Sequence, residues 1–229
     1  MAELCAIVGN SGSGKSTSIR TLNPKTTFII NIAKKPLPFK GAKKNYQLLK
    51  KEADGSFSGN LCNTSDVNQI DQILKYIDKK RPDIKIVIIE DAQYIMAFEA
   101  MDRSAEKGYE KFTQMASNFY SVLKNAMNMR DDLKVFVLTH AENTGDAVNP
   151  SYKIKTIGKM IDTMITVEGL FTYVFFTEVT RDENNTPSYK LITQSDGTTT
   201  AKTPMGCFED LRIDNDLQYI CDKIDAYNE

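Results

Sequence analysis

Histidine is scarce in this chain, and its cysteines are not spaced as metal ligands. There is one histidine among 229 residues, and the four cysteines form no C-x-x-C pair; they are Cys5, Cys62, Cys207 and Cys221. A structural zinc site is therefore not expected. Scattered, unpaired cysteines are typical of reduced thiols in a cytosolic protein.

Segments that would direct the chain into or across a membrane are also missing. No stretch approaches the roughly 18 apolar residues of a membrane span, and the N-terminus has no basic region followed by an apolar run. The net charge is −1, so the molecule as a whole has no electrostatic attraction to nucleic acid or membranes. These features predict an intracellular, soluble protein without a membrane partner, in which nucleic-acid binding would need a local patch.

The most informative motif is a glycine-rich run that follows the apolar residues 4–8. It fits G-x-x-x-x-G-K-[ST], the phosphate-binding loop. Its glycines let the backbone curl so that N–H groups converge on phosphate oxygens, and the following helix points its positive end there. The predicted nucleotide-binding residues are Gly9, Asn10, Ser11, Gly12, Ser13, Gly14, Lys15, Ser16 and Thr17.

Two residues of this motif have separate expected roles. Lys15 supplies a mobile positive charge to the β- and γ-phosphates, and the Ser16 hydroxyl is the expected ligand of Mg²⁺. The alternative is a flexible Gly/Ser turn, but such a turn needs neither the Lys-Ser pair nor the preceding strand. The motif therefore predicts binding of a nucleoside triphosphate with Mg²⁺.

A second source of carboxylates is expected at the tip of a neighbouring buried strand. Residues 86–89 are Ile-Val-Ile-Ile, and Glu90 and Asp91 follow them. One carboxylate can hold Mg²⁺ while the other orients or deprotonates the attacking water. The usual order places aspartate first, so glutamate first is a departure. We assign Glu90 to the magnesium side and Asp91, or both, to the water; an acidic strand cap is the alternative.

His140 follows another apolar strand pattern, residues 134–139. Ligands of parallel sheets lie beyond the carboxyl ends of the strands, so His140 is expected to face the γ-phosphate. A polar side chain there can sense whether this phosphate is present and move the following loop. The alternative is a structural histidine.

Strand and helix patterns alternate and predict one α/β domain over residues 1–229, with a mainly parallel sheet flanked by helices. Predicted strands cover 4–8, 27–31, 84–89 and 134–139, and a C-terminal antiparallel hairpin covers 170–179 and 189–194. Predicted helices cover about 15–22, a segment capped by Ser65 or Asp66, 109–127, a face of Ile157, Met160, Ile161 and Met164, and a last helix capped by Asn215. Residues 141–155 read as a polar loop.

Five segments together suggest a family. They are 9–17, 87–96 (VIIEDAQYIM), 138–140 (LTH), 157–160 (IGKM) and 201–206 (AKTPMG). With these segments the chain resembles, over nearly its whole length, bacteriophage ATP-binding proteins of the RecA-like class, which include the Sak-type single-strand annealing ATPases. The phosphate-loop motif is specific only for the P-loop superfamily, and the later segments suggest the phage group.

The resemblance implies a RecA-like P-loop core that binds ATP and Mg²⁺, hydrolyses ATP and assembles as a ring or filament on single-stranded DNA. It implies annealing or recombination coupled to replication in the cytoplasm of an infected bacterial host, with a single-strand-binding protein as a further partner. In that class a basic residue from a neighbouring protomer completes the ATP site. Lys202 matches the position of this finger, but relatives often carry Lys-x-Arg and here Pro204 replaces the arginine. The alternative for Lys202 is a solvated hairpin lysine.

Lysine-rich segments are the candidate DNA contacts. Lysines can neutralise phosphates and aromatic rings can stack on bases, although charged runs are more often solvated surface. The first segment carries Lys34, Lys35, Lys40, Lys43, Lys44, Lys50 and Lys51 with Phe39 and Tyr46; the loops after the later strands add Lys107, Lys111, Lys153 and Lys155.

Other P-loop classes lack their expected signatures here. No arginine cluster suggests a small-molecule kinase lid, no N-K-x-D segment reads guanine, and no L-S-G-G-Q segment indicates a transporter ATPase. An ATP-dependent assembly factor or helicase loader is the main alternative to a DNA-acting ATPase.

Overall fold

A computed structural model describes residues 1–146, 148–157, 161 and 164–229. The strands are β1 Glu3–Val8, β2 Thr27–Asn31, β3 Lys50–Lys51, β4 Phe57–Ser58, β5 Leu61–Asn63, β6 Ile86–Glu90, β7 Lys134–Thr139, β8 Ala141–Asn143, β9 Tyr152–Ile154, β10 Tyr173–Arg181, β11 Pro187–Ile192 and β12 Arg212–Asp214. The α-helices are α1 Ala42–Asn45, α2 Val67–Lys80, α3 Gln93–Asp102, α4 Glu110–Met127 and α5 Leu217–Asn228; 3₁₀ helices cover Ser16–Thr21 and Val167–Leu170.

Eight strands form one sheet in the order β12-β11-β10-β1-β7-β6-β2-β5. The six strands from β10 to β5 are parallel, while β11 and β12 continue the sheet antiparallel to β10. Strands β2 and β6 are buried along their whole length, as β-branched runs covered on both faces should be. The prediction of an α/β fold with a mainly parallel sheet and a C-terminal antiparallel hairpin is confirmed.

Helices cover both faces of this sheet. On one face, Ile70 and Leu74 of α2 and Phe119 of α4 pack in one hydrophobic cluster with strand residues such as Val87. On the other face, α5 and Ile19 of the first 3₁₀ helix pack in a second cluster with alternate residues of the same strands. Among the described residues, no helix has both the length and the apolar character needed to span a membrane.

The predicted helix faces agree closely with the buried ones. Asp66, one of two candidates, caps α2, since its side chain accepts hydrogen bonds from the N–H groups of Asn68 and Gln69. In α4 the buried positions include Met115, Ala116, Phe119 and Leu123 as predicted, but Phe112 is only half-buried near the exposed start of the helix.

Three local expectations were wrong. The helix expected over 15–22 is a six-residue 3₁₀ helix, so it lacks the aligned peptide dipoles of a long α-helix. Residues 141–155 contain β8 and β9, which pair as a hairpin. Asp216, not Asn215, caps the last helix by accepting from the N–H of Tyr219, because Asn215 is held elsewhere.

Some elements were not expected at all. They are α1, α3, the short strands β3, β4, β5 and β12, and the 3₁₀ helix Val167–Leu170. The strands among them have only two or three residues, which leaves no hydrophobic period to read. The helical face assigned to Ile157, Met160, Ile161 and Met164, and the resemblance in 157–160, fall partly on Gly158, Lys159 and Met160, which lie outside the described residues.

Candidate functional site

The predicted site residues meet at the carboxyl end of the parallel strands. Val8, which precedes the glycine loop (residues 9–17), lies opposite Thr139 of β7. Glu90 ends β6, the other neighbour of β7. Because the three strands are parallel, the glycine loop, the Glu90-Asp91 pair and His140 leave the sheet at the same edge, as the sequence predicts.

Close packing against β10 fixes the start of the glycine loop. A Cβ atom on Gly9 would lie 1.7 Å from Oγ1 of Thr177, so only glycine fits this position. The Thr177 hydroxyl is 2.7 Å from Oγ of Ser13, and the Ser13 hydroxyl donates to the carbonyl of Asn10 at 2.7 Å. These bonds hold the loop in a defined curve on the sheet.

Lys15 directs its ammonium group into this curve. Its Nζ donates to the carbonyl oxygens of Gly9 at 2.9 Å and Asn10 at 2.8 Å. Burial lowers the pKa of Lys15 to about 8, although the nearby carboxylates of Glu90 and Asp91 oppose this effect. A cation held in a buried loop of this kind would gain an anionic partner from a bound phosphate.

Ser16 and Glu90 form the central contact of the site. The Ser16 hydroxyl donates to Oε1 of Glu90, although the two residues are 74 positions apart. Glu90 is buried, and its Oε2 has no hydrogen-bond partner among the described residues. Burial raises the pKa of Glu90 to about 7, and the charge of Asp91 adds to the rise.

This oxygen pair suits Mg²⁺, which is bound through one or two carboxylates together with substrate phosphates and water. The residues described here contain no group of three or more His, Cys, Asp or Glu side chains that could hold a metal alone. Ser16 and Glu90 would therefore hold Mg²⁺ only together with phosphate oxygens.

Asp91 lies beside Glu90 with an unusual backbone conformation. Its φ angle is +59°, in the left-handed region, which disfavours side chains other than those of Gly, Asn and Asp. Its buried carboxylate pairs through Oδ2 with Nζ of Lys35 at 2.6 Å. Strained backbone is often found at functional sites.

His140 lies next to Asp91, as expected for a residue at this edge. Its Nε2 is 3.8 Å from Oδ1 of Asp91, and its ring meets Tyr94 edge-on at 6.1 Å between centroids. Burial, reinforced by the positive charge of Lys15, lowers the pKa of His140. A lower pKa favours the neutral imidazole, which donates one hydrogen bond through one nitrogen and accepts one at the other.

Sequence reasoning missed several polar residues of this site. Asn31 pairs with Glu90 in the strand register, and its amide donates to the carbonyl of Lys35 at 2.8 Å. Buried polar atoms without hydrogen-bond partners in the described part of the chain include Asn31 Oδ1, Thr139 Oγ1 and both amide atoms of Gln93. Asn31 and Thr139 could have been predicted from the sequence, since each is a polar residue at the end of an apolar strand.

Lys202 lies apart from this group. Its backbone N–H and carbonyl pair with Val174 of β10, and Val174 lies opposite Ala6, in the middle of β1 rather than at its end. The side chain is half-buried. Within one protomer, Lys202 is thus placed along the outer side of β10 rather than at the carboxyl edge.

A scan of the chain against protein-family models gives no match, and a search of curated proteins also gives none. The functional assignment therefore depends on the residues of the site and on the resemblance noted above.

The buried Glu90 predicts a pH-dependent stability. The folded chain holds the Glu90 proton more tightly than the unfolded chain, so the free energy of unfolding falls as pH rises from about 4.5 to about 7. Glu90→Gln should remove this loss, raising the stability at pH 8 by on the order of 3 kcal/mol, with little effect near pH 4.5. Urea unfolding of both proteins at several pH values measures this difference in the free energy of unfolding.

Lys15 is coupled to this comparison, because the charge of Glu90 raises the Lys15 pKa, which is about 8 in the folded chain. The same pair of proteins in a Lys15→Ala background removes that contribution, and the lowered pKa of His140 has no contribution from Glu90. A stability difference between wild type and Glu90→Gln that does not change with pH would contradict the raised pKa.

Proposed function

We propose that this protein is a RecA-like P-loop ATPase that binds ATP with Mg²⁺ and hydrolyses the bond between the β- and γ-phosphates. The contact between Ser16 and Glu90 supports this proposal most strongly. It joins the hydroxyl of the G-K-S motif to a buried carboxylate of a second strand, which is the pair that a phosphate-bound Mg²⁺ requires. Lys15 and Asp91 flank this pair at the same sheet edge.

Each residue has a role that follows from its position. The N–H groups of the glycine loop and the Lys15 ammonium bind and orient the phosphates. Bound Mg²⁺ would neutralise charge that develops on the phosphate oxygens. Ser16 and Glu90 hold the metal. Asp91 orients the attacking water and accepts a proton from it, and His140, beside Asp91, senses the γ-phosphate.

Phosphate release from ATP tests this function directly. Purified protein should release phosphate in the presence of Mg²⁺ and stop when EDTA removes the metal. Transfer of phosphate to a metabolite, with no release to water, would instead support a small-molecule kinase. Very slow turnover combined with ATP-dependent assembly would support an assembly factor or helicase loader.

A basic groove supports single-stranded DNA as the partner. The groove has a volume of about 1370 Å³, and no acidic side chain occurs among its lining residues in the described chain; its cations are Lys25, Lys34, Lys35, Lys43, Lys44, Lys50 and Arg81. Lys50 and Arg81 already pair with Glu52 and Asp83 next to the groove, so the exposed lysines Lys25, Lys34, Lys43 and Lys44 carry the argument. In a chain with net charge −1, such a groove is a local site for a polyanion.

DNA bases cannot stack on Tyr46, contrary to the expectation from the sequence. Tyr46 is buried in the core, and half-buried Phe39 packs edge-on against it at 6.2 Å. The groove therefore offers phosphate contacts through lysines. Of the later candidates, Lys111 donates to the carbonyls of Arg103 and Glu106, and Lys153 pairs with Glu142.

Lys35 connects the basic groove to the ATP site. It lines the groove, and its Nζ pairs with the Asp91 carboxylate at 2.6 Å. A phosphate in the groove would compete for this ammonium group and leave Asp91 free to accept a proton. Stimulation of ATP hydrolysis by DNA follows from this competition.

Charge reversal in the groove should weaken DNA binding. In Lys43→Glu/Lys44→Glu, two exposed lysines of α1 lose their phosphate contacts. The plot of log K against log salt for single-stranded DNA has a negative slope, and its magnitude should fall by about 1.4. The control Lys124→Glu/Lys223→Glu makes the same charge change away from the groove. Equal loss of affinity in both variants, measured by fluorescence anisotropy, would contradict the groove assignment.

Assembly and the neighbouring site complete the proposal. In a ring or filament on DNA, Lys202 would reach the ATP of the adjacent protomer. This role agrees with its position beside the middle of β10, away from the carboxyl edge where the ATP site of its own chain lies. The resemblance supports a role in phage annealing or recombination coupled to replication, beside a single-strand-binding protein in the host cytoplasm.

A further inference from the structure

A pocket of about 650 Å³ opens beside the glycine loop, toward β11 and β12. In the sheet order, these strands lie on the opposite side of β1 from Glu90 and Asp91. Beyond the loop residues, the pocket is lined by Arg20, Pro38, Tyr189, Asp214, Asn215 and Asp216. Its volume is within the usual range for small-molecule sites, and no residue assigned to hydrolysis above, other than Lys15 and Ser16, lines it.

One wall of the pocket is an aromatic ring held against the loop. A Cβ atom on Gly14 would lie 3.0 Å from Cδ1 of Tyr189, so the ring packs on the backbone of Gly14. Tyr189 is nevertheless 40% exposed, and Pro38 lines the same pocket and is also exposed. An aromatic ring and the apolar surface of a proline in one pocket are suited to a planar ligand group.

Asn215 is a polar residue in the lining of this pocket. Its Nδ2 donates to the carbonyl of Gly14 at 2.9 Å, and Arg20 donates to the Asn215 carbonyl at 2.9 Å. The first bond orients the side chain, the second holds the backbone, and only 4% of Asn215 is exposed. Its Oδ1 has no hydrogen-bond partner in the described part of the chain. A buried, fixed and unused acceptor calls for a donor from a ligand.

We propose that this pocket binds the nucleoside part of the triphosphate, with the base stacked on Tyr189 and a ribose hydroxyl donating to Oδ1 of Asn215. The order of the groups supports this arrangement. Asn215 bonds to Gly14 inside the glycine loop, so it can reach the sugar that is joined directly to the phosphates. The inference depends on the proposed function, since the phosphates must occupy the glycine loop.

Calorimetry with two ligands separates this pocket from the phosphate site. ATP and inorganic tripolyphosphate, each with Mg²⁺, share the phosphates, and ATP alone carries the nucleoside. Wild type should bind ATP more tightly, by about tenfold or more for a stacked base. Tyr189→Ala should remove most of this preference and leave tripolyphosphate binding unchanged. Tyr189→Phe, which keeps the ring, and Tyr227→Ala, an exposed tyrosine elsewhere, should retain the preference.

The ribose contact is tested with wild-type protein. ATP should bind more tightly than 2′,3′-dideoxy-ATP, by about fivefold or more for one hydrogen bond to a buried acceptor.

Each outcome bears on the inference. Tyr189→Ala that keeps the full preference for ATP, or that weakens both ligands equally, would overturn the stacking role, and equal binding of ATP and dideoxy-ATP would overturn the role of Asn215. If wild type binds neither ATP nor tripolyphosphate, the proposed function itself fails. If wild type binds both ligands equally, the phosphate site stands and the nucleoside pocket is wrong.

Discussion

Replacing Lys15 with alanine is expected to lower ATP hydrolysis by about 100-fold or more while the chain stays folded. Lys15 bonds to the carbonyls of Gly9 and Asn10 within the loop rather than packing in the hydrophobic core, and under the proposed function its charge binds the phosphates. Burial already lowers its pKa to about 8, which means that the folded chain carries this cation at a cost. The variant should therefore unfold at the same or a higher temperature than wild type.

Phosphate release and thermal unfolding, measured on the same samples, check this result. Lys75→Ala is a suitable control, because that lysine pairs with Asp71 on the surface of α2. A Lys15→Ala protein that hydrolyses ATP at the wild-type rate would refute the assignment of the glycine loop. A large drop in its unfolding temperature would show that Lys15 stabilises the fold instead.

Asp91→Asn is expected to reduce the rate of hydrolysis by about 100-fold or more, as the loss of a general base does, with ATP binding retained. Asparagine tolerates the left-handed region as well as aspartate does, so the φ of +59° at this position is preserved. The substitution removes the carboxylate that we propose as the proton acceptor, and it keeps the shape of the turn.

Glu90→Gln is the matched variant, since it neutralises the neighbouring carboxylate. It should raise the Mg²⁺ concentration needed for half-maximal activity, because Glu90 bonds to the Ser16 hydroxyl on the metal side. Asp91→Asn should leave that concentration unchanged. The reverse pattern would exchange the two roles, and full activity of Asp91→Asn would remove Asp91 from the water side.

Much of the site could be predicted from the sequence because its residues follow directly from strand ends. A phosphate-loop motif after one apolar run, and Glu90-Asp91 and His140 after two others, must converge if the strands are parallel. The central strands carry a clear run of buried apolar residues, so their existence was predictable, and the bounds of β2 and β7 agree with the prediction. The bounds of β6, β10 and β11 differ from the predicted ones by two or three residues.

The remaining features depend on contacts between distant segments. The Lys35–Asp91 ion pair joins a lysine-rich loop to a strand end, and no local pattern distinguishes Lys35 from its neighbours. Asn215 was expected to cap a helix, a role that Asp216 takes because tertiary packing commits Asn215 to Gly14. Tyr46 was expected to stack on bases but is buried in the core. Burial of this kind is set by the whole fold rather than by neighbouring residues.

The central claim is that Lys15, Ser16 and Glu90 form one Mg²⁺-dependent ATP site. The most direct test is phosphate release from ATP by wild type with Mg²⁺, by wild type with EDTA, and by Lys15→Ala with Mg²⁺. We predict release in the first sample alone. Equal release in all three samples, or no release by wild type together with no ATP binding in calorimetry, would contradict the claim.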